Sequence, residues 1–139
     1  MSGSTPFYDA WQTAWTNKDL DGMLALVTDD FVFEWHSSGK IMDKAGWKAM
    51  MEGFIKANMP PAQKERCIYE NGDICISHNF VKFPNGSVDA VMMTQMLRDG
   101  KCYRVETGST PVPEESPNFI KSRAAETDQA ARSPRVWSS

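Results

Sequence analysis

Apolar residues recur at every third or fourth position in three stretches before residue 60, and this is the period of a helix that buries one face. Thr5 is placed to cap the first predicted helix, and Pro6 suits its opening position because the first amide hydrogen of a helix has no partner. A second, shorter helix is predicted near residues 18–27, and a third from the cap residue Asp43 to Asn58. The three apolar faces are Phe7, Trp11, Ala14 and Trp15; Leu20, Met23, Leu24 and Val27; and Trp47, Met50, Met51, Phe54 and Ile55.

Alternation with a period of two predicts one strand at residues 31–36, with Phe31, Phe33 and Trp35 on one face, and four more strands after residue 63. Three dipeptides in the later stretch tolerate the positive φ angles of two-residue hairpin turns, so they divide it into a meander. They are Asn71-Gly72, Asn85-Gly86 and Asp99-Gly100, and the strands between them are residues 64–70, 73–83, 87–98 and 101–107. The order is helix, helix, strand, helix and four-strand meander, which predicts an α+β fold with the helices on one face of a bent antiparallel sheet.

Both faces of the two long meander strands carry apolar residues. The face assigned to the helices holds Ile74, Ile76, His78 and Phe80, and then Val88, Ala90, Met92, Thr94 and Met96. The opposite face is too apolar to be wholly exposed to water, and it holds Ser77, Asn79, Asp89, Val91, Met93, Gln95 and Leu97. An outer face of this kind predicts a homodimer formed through the sheet.

Length and composition give one domain at residues 1–110 and a tail rich in Pro, Ser, Glu and Ala at residues 111–139. The tail is either a mobile segment or a strap packed on the domain or on a neighbour. A weakly amphipathic helix over residues 118–132, anchored by Phe119 and Ile120, is one form of the strap.

Charge and cysteine usage exclude several classes. The net charge is −3 and the basic residues form no stripe, so no nucleic-acid partner is expected. The longest apolar runs fall far short of the ~20 residues of a membrane span and the start lacks signal-peptide features, so no membrane partner and a cytoplasmic location are expected. Cys67, Cys75 and Cys102 are spaced unlike metal ligands and fall in strands, so buried reduced thiols without a metal or cofactor are predicted.

Three segments carry a resemblance to a known family. They are Asp-Leu-Asp-Gly at 19–22, Leu-Ala-Leu-Val-Thr-Asp-Asp-Phe-Val-Phe at 24–33 and Asp-Lys-Ala-Gly at 43–46, followed by a helix and a meander. In this order, over residues 5–110, the chain resembles the nuclear transport factor 2-like superfamily, and within it SnoaL-like and ketosteroid-isomerase-like proteins. The resemblance implies a cone of three helices against a curved sheet, a deep pocket inside it and frequent dimers. Members include isomerases, dehydratases, cyclases and proteins of no assigned activity, so the fold does not specify a reaction.

The catalytic residues of two such relatives have no counterpart here. The base, the tyrosine and the protonated aspartate of ketosteroid isomerase align with Trp35, Trp11 and Thr94, and Trp35 cannot accept a proton. The tyrosine and aspartate of scytalone dehydratase fall near Trp15 and Thr16. The resemblance therefore implies neither activity in its known form.

The candidate chemistry rests on a few polar residues. His78 is the predicted acid or base, with Thr94 or Tyr103 to orient a substrate; the alternative is a core histidine bonded to a neighbour such as Thr94. His36 reaches the pocket mouth if its strand twists, and otherwise forms a surface pair with Glu34. The predicted ligand-binding wall is Trp11, Trp15, Phe33, Trp35, Phe54, Met92, Met96 and Tyr103.

Three functions stay open from the sequence. An apolar wall with few polar groups favours a binding module for a small hydrophobic or aromatic molecule. The second function is a cofactor-free isomerase, dehydratase or cyclase that uses His78. The third is a dimeric interaction domain whose pocket is filled by its own Trp and Met side chains.

Overall fold

A computed structural model describes residues 5–121, which form three helices and a six-stranded sheet. The helices are α1 (Pro6–Thr16), α2 (Leu20–Leu24) and α3 (Lys44–Lys56). The strands are β1 (Val27–Trp35), β2 (Ile41–Asp43), β3 (Gln63–Glu70), β4 (Ile74–Lys82), β5 (Val88–Arg98) and β6 (Lys101–Pro111). The predicted α+β class is confirmed.

The strands lie in the order β2-β1-β6-β5-β4-β3, in which β3 to β6 form the predicted meander. The prediction of a wholly antiparallel sheet is wrong because β1 runs parallel to β6. Pairing of Val27 with Cys102 draws the start of β1 into the sheet, so α2 ends at Leu24 and not at Val27 as predicted. The three residues of β2 were not predicted, since so short a strand shows no alternation.

The starts of α3 and α1 depend on one local contact and one distant contact, respectively. Asp43 caps α3 as predicted, because its Oδ1 accepts a hydrogen bond of 2.9 Å from the backbone amide of the third helical residue. Thr5 does not cap α1 through its side chain. Instead Glu70, at the end of β3, accepts hydrogen bonds from the backbone amides of Phe7 at 3.0 Å and Tyr8 at 2.9 Å.

The two faces of the sheet are the reverse of the prediction. Ser77, Gln95 and Leu97 are at most 7% exposed and lie on the side covered by helices, whereas Met92 is 44% exposed. His78 lies directly opposite Met92, and residues directly opposite share a face, so His78 also points away from the helices. The outer face carries Ile74, Ile76, His78, Phe80, Ala90, Met92, Thr94 and Met96. Apolar residues occupy both faces, and alternation alone therefore does not decide which one the helices cover.

Residues 112–121 pack back on the sheet after β6. The amide of Val112 donates to the carbonyl of Val88, and Nζ of Lys82 donates to the carbonyl of Ile120, both at 2.8 Å. Ile120 is only 4% exposed. This part of the tail follows the strap alternative and contains no helix, while most of the helix predicted over residues 118–132 lies outside the described residues. Within residues 5–121, no helix is long and apolar enough to cross a membrane.

Candidate functional site

A cavity lies between α1, α3 and the inner face of the sheet. Its volume is about 90 Å³, counted as the space that the centre of a water molecule can occupy, which is room for several waters or one small ring. Helical spacing of four residues places Trp11 and Trp15 of α1 on its wall, and α3 contributes Trp47 and Phe54. Trp47 is fully buried and stacks on Trp11, with the ring centroids 5.8 Å apart. Five residues of the predicted ligand wall lie on this cavity, namely Trp11, Trp15, Phe33, Trp35 and Phe54.

The sheet side of the cavity supplies neutral polar groups. Ser77 and Asn79 of β4 lie there, and Thr107 and Ser109 lie on the same face in β6, with β5 between the two strands. Gln12 of α1 also lines the cavity and is a neutral polar side chain. None of the described residues that line the cavity is Asp, Glu, His, Lys or Arg. The cavity wall therefore carries hydrogen-bonding capacity without ionisable carboxylates, imidazoles or ammonium groups.

Several polar atoms of the wall are buried without a hydrogen-bond partner among the described residues. They are Nε1 of Trp35, Nε1 of Trp47 and Oδ1 of Asn79. The two indole nitrogens are donors and the amide oxygen is an acceptor, so residues of the wall hold unpartnered groups of both kinds. Ser77 and Asn79 were missed from the sequence because they lie on the face that was assigned to the outside. Thr107 and Ser109 were assigned to neither face, and Ser109 lies beyond the predicted strand 101–107.

The mouth of the cavity is aromatic. Trp35, Phe54 and Phe83 line both the cavity and an open depression beside the β4–β5 turn, which also contains Asp89. The ring centroid of Phe83 is 6.2 Å from that of Trp35 and 5.9 Å from that of Phe54. Phe83 thus stands with two other aromatic rings on the wall that the cavity shares with the depression.

The other predicted site residues lie outside the cavity. His78 packs edge-on against Phe80, and its Nδ1 is buried without a partner among residues 5–121, so the predicted bond to Thr94 is absent. Burial and the nearby Arg66 charge lower the pKa of His78, so the neutral imidazole is favoured. Cζ of Arg98 lies over the ring of Tyr103, 4.6 Å from the ring centroid. Thr94, Met92 and Met96 belong to the outer face.

His36 joins an ion-pair network on the outer face and does not reach the mouth. Its Nε2 is 2.9 Å from Oε1 of Glu106, and Arg104 bonds both Glu106, at 2.8 Å, and Glu34. A hydrogen bond from Arg104, and to a smaller extent one from His36, holds the pKa of Glu106 below its usual value. The donor atoms of Glu34, His36 and Glu106 lie close enough together to hold a metal, but the single Arg104 guanidinium already bonds both carboxylates.

Solved structures of low sequence identity share this fold. An NTF-2 like protein of unknown function from Burkholderia xenovorans LB400 is 14% identical, with a TM-score of 0.61 over 88% of this chain and 89% of its own. A proposed ketosteroid isomerase from Kribbella flavida DSM 17836 is 10% identical, with a TM-score of 0.62 over 85% and 87%. A proposed polyketide cyclase from Pseudomonas putida KT2440 is 20% identical, with a TM-score of 0.62 over 76% and 91%.

No curated protein matches this chain significantly. At identities of 10 to 20%, the structural similarities show the fold alone. The model of the SnoaL-like domain matches residues 8–105, which is well over half of the 139 residues. The chain therefore belongs to the SnoaL-like domain family.

Proposed function

We propose that this chain binds a small, uncharged, apolar or aromatic molecule in the cavity between α1, α3 and the sheet. The observation that carries the proposal is the composition of the described wall, which is aromatic and apolar with neutral polar groups only. A buried charge without a partner costs several kcal/mol, so such a wall selects against charged ligands. The volume of about 90 Å³ favours a single ring over a fused ring system.

The cofactor-free isomerase, dehydratase or cyclase has less support from the same site. A general acid or base must lie within hydrogen-bond reach of the proton that it moves. His78, the candidate for that role, is on the opposite face of β4 from the cavity, and Thr94 lies on the outer face as well. The structural neighbours with isomerase or cyclase names share only the fold.

The alternative of a pocket filled by its own side chains has partial support. Met50, Met51, Met59 and Met93 all reach the cavity, and they narrow it below the size typical of ligand pockets. Methionine side chains are flexible, so they can move aside for a ligand at low cost. Binding of a small ring is consistent with both the remaining space and the adaptable wall.

Benzamide and benzoate form a matched pair of probes, because they differ in charge more than in size. We expect benzamide to bind and to shift the indole N–H resonances of Trp35 and Trp47 in ¹⁵N spectra. Benzoate at neutral pH should bind at least about tenfold more weakly because its charge is desolvated. Equal or tighter binding of benzoate would contradict the proposal.

Neighbouring residues of β4 provide matched variants. Asn79→Leu removes the unpartnered amide oxygen from the cavity, whereas His78→Leu alters the opposite face. Asn79→Leu should weaken benzamide binding by about tenfold through the loss of one hydrogen bond, and His78→Leu should leave it within about twofold. If His78→Leu causes the larger loss, the functional site is on the outer face.

We also propose a homodimer formed through the outer face of the sheet. That face carries apolar side chains, including the 44% exposed Met92. Lys64 and Arg66 lie at its β3 end, and the two carboxylates of Glu34 and Glu106 lie with the single guanidinium of Arg104 at its β1–β6 end, which therefore keeps an excess of negative charge. A two-fold axis parallel to the strands lays the basic end of one protomer over the acidic end of its partner, so the charges are complementary.

Sedimentation of two variants tests the dimer. Met92→Glu places a charge in the proposed interface and should convert dimer to monomer. Ala49→Glu is the control, because Ala49 is exposed on α3, which covers the opposite face of the sheet. A wild-type monomer at micromolar concentration, or a Met92→Glu dimer as stable as wild type, would contradict the proposal.

A further inference from the structure

The β3–β4 hairpin brings two thiols and a carboxylate together on the edge of the core. Cys67 and Glu70 belong to β3, and Cys75 of β4 lies directly opposite Glu70. The two sulfur atoms and a carboxylate oxygen all lie within 4.8 Å of one another. Cys75 is fully buried and Cys67 and Glu70 are partly buried, so the three groups are not a loose surface cluster.

We propose that Cys67, Cys75 and Glu70 bind a thiophilic divalent cation such as Zn²⁺ or Cd²⁺, with solvent as the fourth ligand. Zinc binds thiolate sulfur at about 2.3 Å and carboxylate oxygen at about 2.0 to 2.2 Å, so the donors of a tetrahedral site stand roughly 3.5 to 4 Å apart. The three donors here lie within 4.8 Å of one another, so they need to approach by at most about 1.3 Å to reach that spacing. Each thiol releases its proton to solvent as the metal–sulfur bond forms.

The start of α1 orients the carboxylate. The oxygens of Glu70 accept hydrogen bonds from the amides of Phe7 and Tyr8, and hydrogen bonds of this kind hold a ligating group in a fixed orientation. Two thiolates, one carboxylate and a divalent cation leave a net charge of −1. The positive end of the α1 dipole offsets this charge, because anions are stabilised at helix N-termini.

The same positions are poorly suited to a disulfide. The residue directly opposite Cys67 is Ser77, so Cys67 and Cys75 form a diagonal pair across the two strands. Diagonal residues of neighbouring strands lie about 7 to 8 Å apart, and Cys residues whose Cα atoms are more than about 7 Å apart cannot be bridged without backbone movement. A metal ion tolerates a wider separation of the two sulfur atoms than the bond length of about 2.05 Å that a disulfide requires.

Titration of the reduced chain with Cd²⁺ tests the site, because Cd²⁺ bound to thiolate gives an ultraviolet charge-transfer band. We expect a band that saturates at one equivalent and a rise in the melting temperature. Cys102→Ser is the matched control, since Cys102 is a buried thiol of β6 that donates to the carbonyl of Arg104. It should leave the band unchanged.

Two ligand variants separate the site from adventitious thiol binding. Cys67→Ser should lower the Cd²⁺ affinity at least about tenfold and reduce the band. Glu70→Gln preserves both thiols, so it should lower the affinity for Cd²⁺ but leave the intensity of the band at saturation unchanged. The proposal is overturned if wild type shows no band with excess Cd²⁺, if Cys67→Ser binds as well as wild type, or if mild oxidation joins Cys67 to Cys75 in the folded chain.

Discussion

Gln95 offers the most direct test of how the core is built. It lies in β5 between Cys75 and Val105, and all three residues are fully buried. Both polar atoms of its side chain lack a hydrogen-bond partner among the described residues. Gln95→Met keeps an unbranched side chain of similar length and removes the buried amide.

The expected magnitude follows from the desolvation of that amide. An unsatisfied buried polar group costs about 1 to 3 kcal/mol, and a volume-conserving apolar replacement costs less than about 1.5 kcal/mol. Gln95→Met should therefore raise the free energy of unfolding by about 1 to 2 kcal/mol. A chain of this size gains roughly 3 to 5 °C of melting temperature for each kcal/mol.

Urea unfolding at a fixed pH measures the change, with Gln12→Met as the control. Nε2 of Gln12 donates a 2.7 Å hydrogen bond to Oε2 of Glu65, so removal of its amide should lower the free energy of unfolding by about 0.5 to 1.5 kcal/mol. The two variants should thus move in opposite directions. If Gln95→Met loses more than about 1 kcal/mol, the buried amide is satisfied in solution and the reasoning is refuted.

Three further outcomes follow from contacts elsewhere in the molecule. Ile120→Ala should lower the free energy of unfolding by about 2 to 4 kcal/mol, because Ile120 is 4% exposed. Urea unfolding measures this change, and an unchanged urea midpoint, which corresponds to a loss under about 0.5 kcal/mol, would show that the strap is not packed. Glu70→Gln replaces the carboxylate that caps α1 and should cost about 1 to 2 kcal/mol in thermal unfolding, whereas no change would exclude a capping role. A hydrogen bond from Arg104 holds the pKa of Glu106 below the ordinary value of a glutamate, so the stability from this carboxylate is present above that ordinary pKa and is lost as the pH falls through the lower pKa of the folded chain. In Arg104→Met the melting temperature should therefore fall less as the pH is lowered. A pH profile of the melting temperature identical to that of the wild type would argue against the coupling of Arg104 to Glu106.

The sequence by itself determined the elements and the aromatic wall. Helical spacing decides which side of α1 is apolar, and only one side of β1 carries aromatic rings, so the positions of Trp11, Trp15, Phe33 and Trp35 follow from local periodicity. The Asp43 cap and the meander were predicted for the same reason, because a helix start or a tight turn is encoded within a few residues.

The tertiary structure decided which face of β4 and β5 meets the helices, and with it the polar part of the cavity. Both faces are apolar enough for either choice, and a reversal exchanges His78 for Asn79 and Ser77 at the wall. The Cys67–Glu70–Cys75 cluster likewise depends on strand register, which depends on pairing across the hairpin and not on spacing along the chain. Local patterns determine elements, whereas the site arises from residues that only packing brings together.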